Sequence, residues 1–582
     1  MRNVPGTASK THPRSTLRLA AGVLTACALV LSSGCETTKP GAAPDTAMAS
    51  ETPARPYNLG RYSWRVTATP AGQKWFDQGL NWMYSFNHDE AVRSFEKAAE
   101  VDPGCAMAWW GVALCKGPHI NNPAMDEASC RVAWDSLQKA RALAANCTPL
   151  ERALIDALGH RYADPSAGKP PMDAAGRAPL DRAYADAMAK VHAEAPSHVD
   201  VATLYAESLM DLRPWDLWSV DGEPRPETPT VVKLLEGVLA ARPDHPGANH
   251  YYVHAVEASR EPQRADAAAT RLRTLVPDSG HMVHMPSHID VRLGRWNLAA
   301  EQNEKAMRVH ERYAEHSPRQ GLYRAYMFHN EHFLSYACMM AGRREDAVRA
   351  ARGMVASIPE EFYAAAAPVA DAYTSIRTEA LMRFGMWDEI LAEQEPRAEL
   401  PITRAMWRFA RGVAFAAKND LGAARAEQAR FREACAKVPR GAMMAINPAE
   451  KVLSIADLML EGEIRYREGD IHGAVSRLNE AIAVEDTLGY IEPPDWVQPV
   501  RHALGAVLLD AGRAGEAVKV YEEDLKRWPE NGWALHGLAQ ALGESGRTEE
   551  AEAVKRRFER AWSRADTTLA ASCFCSRRVA AK

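Results

Sequence analysis

The chain has 582 residues, a formal net charge of −5 at pH 7 and 25% charged residues. A single hydrophobic core rarely grows this large, so several domains or a repeat array are expected. The small net charge provides no extended basic face for phosphate backbones, which disfavours nucleic-acid binding. Alanine-rich stretches without Gly or Pro run between short GR, GD and DP segments, a composition typical of helical proteins.

Residues 1–35 have the pattern of a signal peptide. Basic residues precede an apolar run, Leu19 to Leu31, that is too short to span a bilayer. The LSSGC that follows resembles a bacterial lipoprotein processing site, in which Cys35 is acylated and becomes the first residue of the mature protein; ordinary secretion is the alternative. We therefore expect an exported, lipid-anchored cell-envelope protein without a later membrane span.

Residues 36–60 are rich in Pro, Ala, Thr and Ser and carry no periodic apolar pattern, which predicts a flexible linker. Folded structure is expected to begin near Tyr62. The rest divides into N-terminal repeats (61–160), central repeats (161–360), C-terminal repeats (361–563) and a tail (564–582) that contains SCFC.

Small and large apolar residues recur at the spacing of the tetratricopeptide repeat, a helical hairpin of ~34 residues. The first match places Trp75 and Gly79 on one helix and Ala91, Phe95 and Ala98 on the next. Further matches fall on Ala347, Ala351, Met354 and Pro359, on Ala474, Leu478 and Ala481, and on Leu504, Gly505, Leu508, Ala517, Tyr521 and Pro529, followed by Ala551 and Phe558. We predict an all-α superhelical solenoid of antiparallel helix pairs.

Two segments interrupt this period, 160–181 and 213–230, and both are rich in Pro, Gly and Asp. They are predicted to be loops inserted between helices at the edge of the solenoid. Such loops often cover a binding groove.

The chain also resembles a family of large bacterial tetratricopeptide proteins. The resemblance covers nearly all of the mature chain and rests on FNHDEAVRSFEKAAEVDPGCAMAWWGVAL, GPHINNP, RPWDLW, HYYVHAVEAS, HMPSHIDVRLGRW, FHNEHFLSYA, EPPDWVQPVR, ENGWALHGLAQAL and SCFC. It implies the same helical architecture. It implies no particular activity, because none is established for the family.

Histidines are concentrated between residues 250 and 332, where nine of the chain's 19 histidines lie. Seven of them share one repeat register: His250, His254, His281, His284, His288, His329 and His332. Counted from the repeat anchors, they fall at positions 2, 5 and 9 of three successive first helices. In tetratricopeptide repeats those positions line the concave groove.

Spacing within each helix supports a common site, since residues three or four apart lie ~5–6 Å apart on one helical face. Neighbouring helices are ~8–10 Å apart, so imidazoles from two or three of them can converge on one or two metal ions. Neutral imidazole binds zinc or copper well. Glu257, Asp290 and, more weakly, Glu207 are candidate additional ligands or hydrogen-bond partners of the rings.

Two features of the GHMVHMPSHID segment complicate this hypothesis. Pro286 is expected to kink or begin a helix, which threatens the phase of His281 and His284 relative to His288. Met282 and Met285 would favour copper if they were ligands, but apolar residues on a solenoid helix more often pack in the core.

Three other interpretations remain open. A metal-free groove could grip an acidic or aromatic peptide, or the imidazoles could form a purely structural polar network. A metal-dependent hydrolase is the third, with Glu257 as base. No HExxH, GxSxG, GxxxxGK[ST] or GxGxxG motif is present, so activity as an enzyme is the less favoured interpretation.

The remaining candidates are weaker. Cys573 and Cys575 are expected to be too close for an easy mutual disulfide, leaving soft metal ligands, a redox pair, a bridge to a partner or a free tail as alternatives. Cys130 with Cys147, or Cys105 with Cys115, are possible disulfides.

His88 and His119 are predicted to have loop or capping roles. The aromatic residues of PDWVQPVR and WALHGLAQAL are expected to offer a surface for a protein or peptide partner.

Overall fold

A computed structural model describes residues 57–317, 321 and 323–577. The predicted signal peptide, Cys35 and most of the linker lie outside these residues. Residues 57–60, assigned to the linker from the sequence, belong to the fold: the Tyr57 ring lies 5.2 Å from Trp82, Leu59 is buried, and Asn58 donates its backbone N–H to Asp278.

The described chain is built almost entirely from helices. Those of the first half are α1 (Pro70–Tyr84), α2 (His88–Val101), α3 (Ala106–Cys115), α4 (Glu127–Leu143), α5 (Pro149–Leu158), α6 (Ala174–Glu194), α7 (Val199–Met210), α8 (Thr228–Ala241), α9 (Pro246–Val256), α10 (Asp266–Leu275), α11 (Gly280–His284) and α12 (Pro286–Arg292). Those that follow are α13 (Trp296–His316), α14 (Tyr323–Ala341), α15 (Arg344–Ser357), α16 (Glu360–Asp371), α17 (Ile376–Arg383), α18 (Trp387–Ala392), α19 (Pro401–Ala417) and α20 (Leu421–Cys435). The last are α21 (Ala449–Glu468), α22 (Ile471–Glu485), α23 (Val500–Asp510), α24 (Ala514–Arg527), α25 (Gly532–Glu544) and α26 (Thr548–Ala561).

A short antiparallel ribbon, β1 (Met443–Met444) and β2 (Asn447–Pro448), precedes α21. Single 3-10 turns interrupt the helices at Ala144–Asn146, Gly159–Arg161, Pro165–Ala167 and Pro262–Ala265. Within the described ranges no helix is both long and apolar enough to cross a membrane.

Consecutive helices pack against each other in pairs, which confirms the predicted all-α solenoid. The first repeat shows the physical basis. Phe95 of α2 is wedged between Gly79 of α1 and Gly111 of α3, so closely that a Cβ on either glycine would lie 2.7 Å from its ring. The small residues therefore let the helices approach, and the large residue fills the space between them.

The apolar core has two large clusters. One reaches from Leu59 to Tyr326, and the other from Val291 to Cys575. Helices α12 and α14 lie where the two clusters meet, because they contribute residues to both. The histidine-bearing segments therefore occupy the junction between the N-terminal and C-terminal halves.

Distant repeats pack onto this junction. The Trp296 indole donates to the carbonyl of Pro529 at 2.9 Å, and the Trp533 indole donates to the carbonyl of Met339 at 2.9 Å. A Cβ at Gly294 would lie 2.5 Å from the Pro529 oxygen. The winding of the solenoid thus brings its last repeats against its central ones.

The two inserted segments are partly as predicted. The segment 160–181 is irregular only as far as Asp173, because α6 begins at Ala174 with Asp173 as its N-cap. The segment 213–230 is a loop up to the start of α8, and it carries Trp215 to within 5.5 Å of the His254 ring, measured between centroids.

Candidate metal centre

Six of the seven predicted histidines form one continuous cluster of rings. His250 and His254 project from α9, His281 and His284 from α11, His288 from α12 and His329 from α14. Ring centroids are 4.8 Å apart for His250 and His281, 5.6 Å for His254 and His288, and 4.8 Å for His284 and His329. Three neighbouring helical hairpins therefore aim their imidazoles at a common region, as the repeat register predicted.

Pro286 does not break the phase of these rings. It occupies the first turn of α12, where its missing N–H costs no helical hydrogen bond. Met285 before it keeps α-helical backbone angles, φ −50° and ψ −35°. His284 and His288 consequently remain on one face, with their Nε2 atoms 2.8 Å apart.

Ligand atoms of the cluster group into three overlapping sets, and within each set the atoms lie within 4.8 Å of one another. The first set, called here the upper trio, is His250, His254 and His281. The second, the lower trio, is His284, His288 and His329. A third set, His254, Glu257 and His288, connects the two trios.

Hydrogen bonds fix the tautomers in the lower trio. Nδ1 of His284 lies 2.7 Å from Oδ1 of Asn303, whose amide nitrogen donates to Ala299 and Ser287 and so leaves its oxygen toward the ring. Nδ1 of His288 lies 2.5 Å from a carboxylate oxygen of Glu257. Both Nδ1 atoms must donate, since both partners are acceptors. The Nε2 of neutral His284 then presents a lone pair toward Nε2 of His288.

Two rings of the upper trio, His250 and His254, follow the same rule. Nδ1 of His250 donates to the carbonyl oxygen of Tyr84 at 2.7 Å, and Nδ1 of His254 donates to Glu257 at 2.9 Å. Nε2 of His250 lies 3.0 Å from Nε2 of His281. Within the described part of the chain, Nε2 of His254 and Nδ1 of His281 are buried without a hydrogen-bond partner. An acceptor on one ring nitrogen and a lone pair on the other is the usual arrangement of metal-binding histidines.

Glu257 is the hub of the centre. One carboxylate oxygen accepts from His254 and the other from His288. Burial by itself would raise the pKa of Glu257, but the two imidazoles outweigh it and lower this pKa to about 2. The carboxylate is therefore an anion in the interior, which favours positive charge beside it.

Burial keeps most of these imidazoles neutral. It lowers the pKa of His250, His281, His284 and His329 well below the ordinary histidine value, and neighbouring histidines lower it further. Burial also lowers the pKa of His254, against the opposing effect of Glu257.

His288 differs from the other imidazoles, because its contact with Glu257 outweighs burial and raises its pKa. A proton on Nε2 of His288 can satisfy the lone pair of His284, so a proton and a metal ion compete for the same place.

In each trio, the separation of one pair of nitrogens suits a shared ion. Two nitrogens bound to one ion at ~2.0–2.1 Å lie ~2.9 Å apart at a right angle and ~3.3 Å apart at the tetrahedral angle. The observed values of 2.8 and 3.0 Å need only small ring adjustments. The donors are imidazoles that are mostly neutral, with a carboxylate behind them, which fits a divalent transition metal.

Other predicted ligands are engaged elsewhere. Asp290 pairs with Arg273 at 2.8 Å and with Arg295 at 2.9 Å, while Glu207 is buried beside Arg161 and Asp211. Asp290 thus serves ion pairs and Glu207 interacts with the Arg161 and Asp211 side chains, and neither belongs to the imidazole sets.

Three of the residues considered from the sequence belong to the surroundings of the trios. His332 is buried outside both, with its ring edge-on to Tyr373. Met282 and Met285 are fully buried in the N-terminal core cluster, so they carry no argument for copper.

The cysteines correct the sequence-based expectation. Cys573 and Cys575 are joined by a disulfide with their Cα atoms 5.2 Å apart, so they offer neither free thiols nor metal ligands. Their segment is not a free tail: both are buried, and Ser572 between the C-terminal helices donates to the carbonyl of His502 at 2.8 Å. The suggested partners Cys105, Cys115, Cys130 and Cys147 are all free and buried.

His88 and His119 lie at helix-end and loop positions, as expected. His88 is the first residue of α2 and its Nδ1 lies 3.1 Å from the carbonyl oxygen of Cys115. The two rings are 4.5 Å apart. Phe86, beside them, packs against His119 at 4.7 Å and His250 at 4.5 Å, so they form the wall behind the upper trio.

Several residues of the centre were not identified from the sequence. Asn303 and the Tyr84 carbonyl contact His284 and His250 from positions distant in the sequence, so no local sequence pattern reveals them. Glu492, whose Oε2 lies 3.4 Å from Nδ1 of His288, belongs to the EPPDWVQPVR block. That block's resemblance to the bacterial family was the available signal. Trp215 lies in the second inserted loop, and the only sequence signal for it was that such a loop was expected to cover a groove.

Burial changes the picture of an open groove. His250 and His284 are 0% exposed and His288 is 1% exposed, so the rings line an interior site rather than an accessible surface. The aromatics expected to bind a partner are buried as well, since Trp496 is 3% and Trp533 0% exposed. An extended peptide therefore has no direct access to His250, His284 or His288 or to these indoles, whereas His329 is partly exposed.

Comparisons with known proteins agree with this architecture. Residues 508–555 match the tetratricopeptide repeat family. This chain contains a tetratricopeptide repeat. A search of curated proteins found no significant sequence match.

Similar solved structures include a human IFIT1 dimer with m7Gppp-AAAA, with 11% identity and a TM-score of 0.33 over 78% of this chain and 90% of that chain. The Cut9–Hcn1 hetero-tetramer of the APC/C has 12% identity and a TM-score of 0.29, and the match covers 84% of this chain and 76% of that chain. Scores this low support no inference about ligands or partners.

Proposed function

We propose that this protein binds one or two divalent transition-metal ions in the interior of a tetratricopeptide solenoid. The observation that carries the proposal is the convergence of two imidazole trios in which Glu257, Asn303 and the Tyr84 carbonyl hold the outer nitrogens of four rings: His250, His254, His284 and His288. Those acceptors orient the four rings and leave the Nε2 lone pairs of neutral His284 and His288 directed at each other. Buried lone pairs at this distance repel unless a proton or a cation lies between them.

Zinc and copper are the proposed ions, because neutral imidazole nitrogens dominate both trios. Glu257 accepts hydrogen bonds from one ring of each trio, so its charge supports an ion at either place. In the fullest form of the proposal each trio binds one ion, and Glu257 accepts a hydrogen bond from one ligand of each ion, His254 and His288. Occupancy of only one trio is the simpler form.

Elemental analysis of the purified mature chain tests the proposal. We expect retention of one to two equivalents of metal per chain after extensive dialysis, and loss of about one equivalent in His250→Gln and in His284→Gln. The matched control is His310→Gln, a buried histidine of α13 outside both trios. Metal-free wild type that also fails to take up zinc or copper on titration would overturn the proposal.

Location at the cell envelope, through a lipid on Cys35, is a further part of the proposal. Its support is the N-terminal sequence: basic residues, a short apolar run and LSSGC. Metabolic labelling with a palmitate analogue should mark the wild type and not Cys35→Ser. An unlabelled wild type found in the soluble secreted fraction would point to ordinary secretion instead.

Docking of a protein partner remains an additional proposal, supported by the tetratricopeptide match at residues 508–555. Because the imidazoles are buried, any such docking uses the outer surface of the repeats and not the histidine cluster. A partner identified by crosslinking in cells should therefore still bind His250→Gln and His284→Gln. Loss of its binding in both variants would favour the peptide-gripping alternative.

A further inference from the structure

A cavity of about 150 Å³ lies directly beside the histidine cluster. One side of it is apolar and comes from α14, α15 and α16, with Phe328, Met354, Ile358, Phe362 and Val369 among its residues. Ile446 and Ile491 close it from the C-terminal half. Two separate halves of the solenoid therefore build this space together.

The opposite side of the cavity is the metal centre itself. His254 and His281 of the upper trio line it, and so do His288 and His329 of the lower trio. A molecule in the cavity consequently touches residues of both trios at once. The combination of an apolar chamber with ligating groups at one end is typical of small-molecule sites.

His332 also lines the cavity, outside both trios. It is 7% exposed, and its Nδ1 has no hydrogen-bond partner among the described residues. A buried imidazole nitrogen without a partner is costly, and a ligand hydroxyl can satisfy it. His332 therefore adds a polar group to the chamber beyond the metal centre, beside Asn121, Tyr326, Tyr373 and Glu492, which also line it.

We infer that the cavity binds a small aromatic molecule carrying a single hydroxyl group, with its ring against the edge-to-face pair of Phe328 and Phe362 and its oxygen at the histidine side. This inference rests on the proposed metal centre and adds the class of its ligand. An apolar protein cavity of about 150 Å³ holds a benzene-sized molecule, which sets the size. The aromatic walls favour a flat ring, since edge-to-face and offset contacts stabilise such pairs.

The geometry gives His332 a role different from that predicted by the register. It is assigned to the bound hydroxyl and not to a metal ion. Its replacement should leave metal content unchanged and affect only the discrimination between hydroxylated and plain rings. This separates the ligand inference from the metal proposal.

Titration calorimetry with phenol and with benzene, on the metal-loaded full mature chain, tests the inference. We expect saturable binding of one phenol per chain, about fivefold or more tighter than benzene because of the hydrogen bond. His332→Phe should bind both rings about equally and keep its metal. Absence of saturable phenol binding, equal affinity for both rings in the wild type, or metal loss in His332→Phe would overturn the inference.

Two variants that change the cavity size in opposite directions distinguish a loss of the binding site from misfolding. Val369→Phe fills the chamber and should weaken phenol binding at least tenfold, whereas Phe362→Ala enlarges it and should admit 4-propylphenol, which the wild type excludes. Metal content is measured on every variant. If Val369→Phe does not affect phenol binding, the cavity assignment is wrong, even where the variant retains its metal. If the protein binds no metal but still binds phenol, only the metal proposal is wrong.

Discussion

Nε2 of His284 lies 2.8 Å from Nε2 of His288, although each ring already donates its other nitrogen to an acceptor. With both rings neutral, two lone pairs would meet in a buried site. A shared cation or a shared proton resolves this repulsion. A metal ion and a proton therefore compete for the position between these two nitrogens.

Metal binding should release about one proton at pH values below the raised pKa of His288. The ion displaces the proton on that ring, so the apparent affinity should fall by about tenfold per unit as the pH is lowered through this range. Calorimetric titrations in buffers of different ionisation enthalpy measure the released proton. A pH-independent affinity with no proton release would contradict this prediction.

Glu257→Gln should weaken metal binding about 10-fold to 100-fold without removing a ring. The amide replaces one of the two accepting oxygens with an NH2 group, which donates, so the ring that faced that oxygen, His254 or His288, must change its tautomer. Competition with a chelator measures the change. Asp290→Asn is the control: it disturbs the pairs with Arg273 and Arg295 and should lower stability while leaving metal affinity within about twofold.

His310 should make the metal-free protein less stable in acid. Burial lowers the pKa of His310 from 6.5 to about 3, so between these values the unfolded chain binds a proton that the folded chain does not. Stability is therefore lost as the pH falls from 6.5 toward 3, by about 1.4 kcal/mol per unit.

His310→Leu should flatten this slope in denaturant unfolding of chelator-treated protein between pH 7.5 and pH 5. The exposed His472 on α22, changed to Leu, is the control and should keep the wild-type slope. Parallel slopes for wild type and His310→Leu would show that this side chain is protonated in the folded state as readily as in the unfolded one.

Gly280→Ala should destabilise the start of α11, because its Cβ would lie 2.1 Å from the His310 ring. Overpacking of this kind costs about 1–3 kcal/mol. Adding His310→Ala makes room, so the double variant should lose less stability than the two single changes combined. Gly353→Ala, inside α15 with no atom near its Cβ, is the matched control and should stabilise by about 0.5–1 kcal/mol.

Much of the fold was predictable because its determinants are local. The repeat pattern placed Gly79 and Phe95 in contact, and the structure packs them as expected. The register also grouped the imidazoles correctly, apart from His332, since helical periodicity fixes which residues share a face. Cys573 and Cys575 were misjudged, because sequence separation alone does not reveal how the chain bends between two cysteines.

The sequence by itself determined the helical hairpins and the concentration of imidazoles on three neighbouring hairpins, because both follow from periodicity along the chain. Only the tertiary structure decided what surrounds those imidazoles. Asn303, Glu492 and the Tyr84 carbonyl reach the cluster from different repeats, and contacts such as Trp296 with Pro529 bury it. Tautomers, burial and the neighbouring cavity depend on these long-range contacts, and no local pattern encodes them.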